Sequence, residues 1–270
     1  MKRIELFEFE DHPRFPSWLR DLMTTYLVAF HRIFRTAPAV ADLLREALSV
    51  SSTKRVVDLC SGGGGPMPDV VRELRGDGAH ADVEVTLSDL YPNAGAARQI
   101  EAIGDPKLRY ETTSVDATRV GTERAGVRTL IGSFHHLSPD AARAVLLDAA
   151  KARQPIVVFE VSDNGPPIWL WWTAIPASFL MSLFLTPFVR PLSLRMLFFT
   201  YGVPLLPLFI AWDGAASNAR TYTPDDVREL LRGHEDDGYT WEIGSRRAGR
   251  LPGKSMYVIG RPVAGAAAKG

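Results

Sequence analysis

The chain predicts an α/β fold built on a doubly wound, mostly parallel sheet, and three observations support this. Short β-branched runs alternate with helical patterns from residue 55 onward, a glycine-rich turn joins the first run to its helix, and successive runs end in an acid. Parallel strands linked by helices place such acids along one edge of the sheet. Its 270 residues suffice for one domain with a sizeable insertion.

Residues 1–15 mix acids, phenylalanines and prolines and read as an arm lying over the domain. Trp18, Leu22, Tyr26 and Phe30 then recur at spacing four, and Val40, Leu43, Leu44 and Leu48 follow, predicting two helices parted near Thr36-Ala37-Pro38. Residues 1–50 are therefore an arm and a helical cap. The first strand, Arg55 to Asp58, runs into Leu59-Cys60-Ser61-Gly62-Gly63-Gly64-Gly65-Pro66-Met67-Pro68, a strand, tight turn and helix start. Glycines there permit positive φ and close approach of backbone to a ligand.

No Lys-Ser or Lys-Thr pair follows the glycines, which disfavours a triphosphate loop. A dinucleotide fingerprint from Gly62 would put Met67 where a small residue is needed, which weakens a nicotinamide oxidoreductase. The stretch resembles the first motif of class I S-adenosylmethionine-dependent methyltransferases, an acid followed by Gly-x-Gly-x-Gly. Asp58, Cys60, Gly62 and Gly64 occupy those places, with cysteine at the first glycine. The resemblance is to the small-molecule type and covers residues 55–163 by motif and 220–262 by order of elements. It implies a Rossmann-like sheet of seven strands with an antiparallel last strand, and S-adenosyl-L-methionine as cofactor.

The second strand, Val83 to Leu87, ends at Ser88-Asp89-Leu90. An acid at that position in a doubly wound sheet accepts hydrogen bonds from ribose hydroxyls. A helix from Ala94 closes at Gly104, and a third strand, Leu108 to Val115, leads into Asp116-Ala117. The resemblance implies that Asp116 meets the adenine amino group. The cofactor set is thus Asp58, Ser61, Gly62, Gly64, Asp89, Leu90, Asp116, Ala117, Ser133 and Phe134.

A fourth strand, Val127 to Ser133, is followed by Phe134-His135-His136, then by Ser138 as helix cap and Pro139 at the first helical position. In the resembling family this loop lies beside the methionine part of the cofactor. Imidazole, with an unperturbed pKa of about 6.5, suits proton removal from an acceptor near neutral pH. His135 and His136 are therefore catalytic candidates. The fifth strand, Pro155 to Val161, is almost wholly apolar, so Glu160 must either face the crevice or pair locally. It joins the catalytic set.

Residues 51–163 form the core and 164–219 an apolar helical insertion. Residues 165–212 hold only two charged side chains, Arg190 and Arg195. One uncharged run is long enough to span a bilayer, but prolines at 166, 167, 176, 187, 204 and 207 break the segment into shorter pieces. The preferred reading is a lid over an apolar acceptor, with membrane-surface contact, a homodimer interface and a true span as alternatives. Asp213-Gly214 reads as a turn, Thr223 as the next helix cap, and two final strands complete a core part at 220–262, followed by a flexible tail at 263–270.

Basic and acidic residues balance at 31 each, so no global field recommends nucleic acid. Cys60 is the only cysteine, consistent with a cytoplasmic location, peripheral at a membrane if the insertion makes contact. No zinc-ligand spacing is visible, and no metal is expected. The expected function is methyl transfer to oxygen or nitrogen of a small hydrophobic or aromatic acceptor, driven by proximity with histidine assistance. A membrane-associated lipid or quinone-like acceptor and a non-catalytic cofactor-binding module are the alternatives.

Overall fold

The computed structural model describes residues 1–234, 236 and 238–263. The tail expected at 263–270 therefore lies, apart from Val263, outside the described residues. Helices α1 (Ser17–Ile33) and α2 (Ala37–Leu48) precede β1 (Arg55–Asp58), α3 (Met67–Arg75), β2 (Glu84–Leu87), α4 (Ala94–Glu101) and β3 (Leu108–Tyr110). Then come β4 (Val127–Ile131), α5 (Pro139–Lys151) and β5 (Ile156–Glu160). The insertion contributes α6 (Ala174–Leu185), the short α7 (Leu194–Leu197) and α8 (Leu205–Arg220), and α9 (Pro224–Leu231) leads to β6 (Tyr239–Arg246) and β7 (Ser255–Pro262).

The seven strands order as β3-β2-β1-β4-β5-β7-β6. β1 to β5 are parallel, and β7 runs antiparallel to both β5 and β6. The chain enters at β1 and winds outward first to β3, then from β4 to the other edge. The crevice at the β1–β4 junction is the switch point of a doubly wound sheet. Apolar runs such as Ile156-Val157-Val158-Phe159 form the middle because both faces are covered: α2 and α3 pack on one side and α5 and α9 on the other.

Two expectations change. The third strand is shorter, ending at Tyr110, so Glu111 to Val115 are an extended loop. Asp213-Gly214 is not a turn but lies inside α8. The Asp213 carboxylate accepts the backbone N–H groups of Phe9 (2.9 Å) and Glu10 (3.1 Å), so it serves the arm, not a bend. Gly214 removes a side chain where α8 meets Ser178 of α6; a Cβ there would stand 3.5 Å from its hydroxyl.

The arm runs along α8, with Ile4 N–H donating to the Ala219 carbonyl at 2.9 Å. The inner side of the insertion is not left bare. Val189, Met196, Leu206 and Ile210 join Phe15, Leu19, Met23 and Tyr26 in a separate apolar core over α1.

Candidate active site

The turn after β1 is held by its own acid. Asp58 is buried at the strand end, its Oδ1 accepting from Thr129 Oγ1 and its Oδ2 from Ser61 Oγ, both at 2.6 Å. Burial pushes its carboxyl up to about 7 despite those two bonds. Both oxygens are thus occupied in shaping the loop. Cys60 (φ 55°), Gly62 (φ 49°), Gly64 (φ 90°) and Gly65 (φ 45°) all take left-handed backbone. Burial also lifts the Cys60 thiol to about 12, which makes it a poor nucleophile.

Around this turn the structure gathers the strand-end residues. Asp89 Oδ2 accepts from Gly62 N–H at 2.8 Å and its Oδ1 from Tyr91 N–H at 2.8 Å. Tyr110, which the sequence did not single out, donates its hydroxyl to the Gly62 carbonyl at 2.8 Å. Leu90 is exposed and its carbonyl takes the Ser114 hydroxyl at 2.7 Å. Asp116, exposed at the next loop, is held below the usual carboxylate range by the hydroxyl and N–H of Thr118. Ala117 is buried core rather than surface. On the far side Ser133 is buried with its hydroxyl unpartnered, and Phe134 packs on Tyr222 with ring centroids 5.1 Å apart.

The histidines form a second group. His135 is buried; its Nδ1 lies 2.8 Å from Glu160 Oε2, and its backbone N–H donates to Glu160 Oε1 at 3.1 Å. Burial would raise the Glu160 carboxyl, but the charge and hydrogen bonds of His135 outweigh it and hold it low. A carboxylate at Nδ1 fixes the proton there and leaves the lone pair on Nε2. That Nε2 is buried without a hydrogen-bond partner among the described residues, 3.9 Å from Glu8 Oε1. His136 stacks on His135 at 4.2 Å and places Nδ1 2.9 Å from Asp11 Oδ1.

The arm brings charges that local pattern could not announce. Glu8 is buried and its carboxyl is pushed by burial to about 7, with His136 and Arg220 opposing. Arg220, at the end of α8, sits 3.2 Å from Glu8 Oε1 and 2.7 Å from Asp11 Oδ2, and donates to the His136 carbonyl at 3.2 Å. Arg3 donates to the His135 carbonyl at 3.3 Å. Glu8, His135 and His136 bring one metal-ligand type atom each within 4.8 Å of one another. The Arg220 guanidinium places its positive charge against the same carboxylate.

A cavity of about 1040 Å³ opens behind the glycine turn, between α1, α3 and α4; of the predicted site residues only Gly64 lines it. It is not where the strand ends converge.

No family model matches the chain, and no curated protein does. Among solved structures the plantazolicin methyltransferase BamL, solved with a triazolic desmethylPZN analogue and SAH, superposes with a TM-score of 0.52 over 91% of this chain and 98% of that one, at 11% identity. This is the methyltransferase fold. The mitomycin 7-O-methyltransferase MmcR (20% identity, TM-score 0.48) overlays 85% of this chain and 54% of its own. NcsB1, an O-methyltransferase from neocarzinostatin biosynthesis solved with S-adenosylmethionine and 2-hydroxy-5-methyl naphthoic acid, overlays 80% and 50% (16% identity, TM-score 0.46). The chain thus spans about half the length of these last two. At such identities the methyltransferase fold is what is shared, and the site must be argued from its own residues.

Proposed function

We propose that the crevice binds S-adenosyl-L-methionine and transfers its methyl group to oxygen or nitrogen of a small hydrophobic or aromatic acceptor. The observation that carries this reading is the Glu160–His135 pair, buried at the β4–β5 ends beside a left-handed glycine turn faced by Asp89. The residues fit the cofactor: a Cβ at Gly62 or Gly65 would meet nothing within 4 Å, and Asp89 and Asp116 offer acceptor-only oxygens for hydroxyl and amino donors. Asp89, Gly62, Ser61, Leu90, Asp116 and the Ser133-Phe134 backbone would hold it, with Asp58, Gly64 and Ala117 shaping the walls. When bound, it supplies a methyl group activated on sulfur.

The protein's own contribution is orientation, dryness and one proton. Holding the acceptor at about 3 Å and excluding water supplies much of the rate in such a displacement. His135 Nε2 is set to take the acceptor's proton, with Glu160 supporting the imidazolium through Nδ1. Glu8 Oε1 lies 3.9 Å from Nε2, where its charge would favour the imidazolium that results. His136 holds the arm through Asp11 rather than acting on the acceptor.

Calorimetric titration with S-adenosylmethionine, S-adenosylhomocysteine and NADH tests the cofactor, and labelled methyl transfer to a panel of aromatic hydroxyls and amines tests the reaction. Binding of the first two alone is expected. Binding without transfer to any acceptor would favour a non-catalytic module, and binding of NADH alone would overturn the reading.

A further inference from the structure

Residues 164–212 contain no acid. The run Ile168–Phe188 is long and apolar enough to cross a membrane, yet almost none of it is buried. Leu194 is 85% exposed, Phe184 72%, Trp169 68% and Phe188 65%, with Trp172 and Phe198 more than half exposed. Large apolar side chains on an ordinary surface are scattered singly, whereas here they belong to one insertion.

The insertion cannot cross a bilayer as it is folded. Its other side is committed to protein: α6 lies on α8 at Gly214, and Val189, Met196, Leu206 and Ile210 are core residues against α1. α8 also carries Asp213 and Arg220, both buried in polar contacts with the arm. A crossing would draw these groups into hydrocarbon, which is costly for charged side chains. The chain bends by 80° between Leu194–Gly202 and Leu205–Arg220, so these two helices do not run on as one straight span.

The charges point to the occupant. Arg190 and Arg195 are both exposed; Arg190 Nη1 donates to the Pro187 and Val189 carbonyls, and the Arg195 guanidinium lies 4.0 Å over the Trp18 ring. Neither makes an ion pair among the described residues, and no acid of the insertion competes for them. Two unneutralised arginines beside an acid-free apolar face complement an anionic surface. Trp169, Trp172 and the half-exposed Tyr201 supply amphipathic rings suited to headgroup depth.

We propose that this face docks the protein on an anionic phospholipid bilayer, its Trp, Phe and Leu side chains entering one leaflet and Arg190 and Arg195 meeting the headgroups. The docking stands independently of methyl transfer, because none of these side chains belongs to the crevice.

The test is flotation of the full chain with phosphatidylcholine vesicles, with and without phosphatidylglycerol, alongside tryptophan quenching by lipids brominated in their acyl chains. Co-flotation that strengthens with phosphatidylglycerol is expected, with quenching. Trp169→Ser combined with Phe184→Ser should weaken partition at least about tenfold, since two large apolar rings would no longer enter the leaflet. Arg190→Glu with Arg195→Glu should remove the dependence on anionic lipid, and circular dichroism melting should show that both variants remain folded. Absence of flotation on both vesicles would overturn the proposal. So would a lipid-independent dimer by light scattering that Phe184→Ser converts to monomer, because the face would then pair two copies. Cofactor titration without lipid reports separately on the crevice.

Discussion

Glu160 holds His135 twice, accepting its backbone N–H at 3.1 Å and facing its Nδ1 at 2.8 Å. One carboxylate therefore fixes both the position of the loop after β4 and the tautomer of the ring. Glu160→Gln keeps the size but removes the charge that supports an imidazolium. Methyl transfer measured in single turnover should slow by about a hundredfold, while S-adenosylhomocysteine affinity stays within about twofold. An unchanged rate would remove His135 from the proton path.

Asp89 is expected to matter to binding instead. It orders the Gly62 and Tyr91 amides and retains acceptor capacity on both oxygens. Asp89→Ala should weaken cofactor binding about tenfold or more by calorimetry, equivalent to about 1.4 kcal/mol. Unchanged affinity would place the cofactor elsewhere.

Stability should fall as pH rises from about 6.5 to 8. Burial raises Asp58 from 3.8 and Glu8 from 4.5, both to about 7, so the folded protein keeps protons that the unfolded chain has already released. Raising pH through 7 then favours unfolding. His31, lowered by burial to about 4, acts in the opposite sense, but only up to the ordinary imidazole range near 6.5. Thermal midpoints across this window should decline, and Glu8→Gln should make the decline shallower. A midpoint that rises across the window would refute the assignment.

Cys60 takes a left-handed φ of 55° where the resembling motif has glycine. A side chain there costs roughly 1–2 kcal/mol, partly offset by the greater unfolded freedom of glycine, about 0.5–1 kcal/mol. Cys60→Gly should leave the denaturation midpoint equal or higher, by up to about 1 kcal/mol. A loss larger than that would mean the thiol's packing outweighs the strain.

The sheet was legible because its signals are local. Val56-Val57-Asp58 and Ile156 to Glu160 are apolar runs ending in acids, and Ser138-Pro139 and Thr223-Pro224 announce helix starts that the structure caps as expected. The parts that were missed depend on contacts between distant segments. Glu8, Asp11 and Arg3 lie in an arm with no periodicity, and only the fold brings them to His135, His136 and Arg220. Asp213-Gly214 has the composition of a turn, yet its carboxylate is claimed by amides at Phe9 and Glu10, and the helix continues through it. Tyr110 reads as an ordinary strand residue until its hydroxyl is seen at the Gly62 carbonyl.

The arm is tied to distant parts of the chain. Its backbone is paired at Ala219, its amides are paired at Asp213, and Lys2 N–H reaches Asp226 at 2.6 Å. These partners lie more than two hundred positions further along the chain, so docking the arm is a strongly non-local step of folding. From α8, Arg220 faces Glu8 at 3.2 Å and Asp213 holds the Phe9 amide at 2.9 Å. The crevice therefore depends on segments far apart in sequence: strand ends shape it, and the arm covers its histidines.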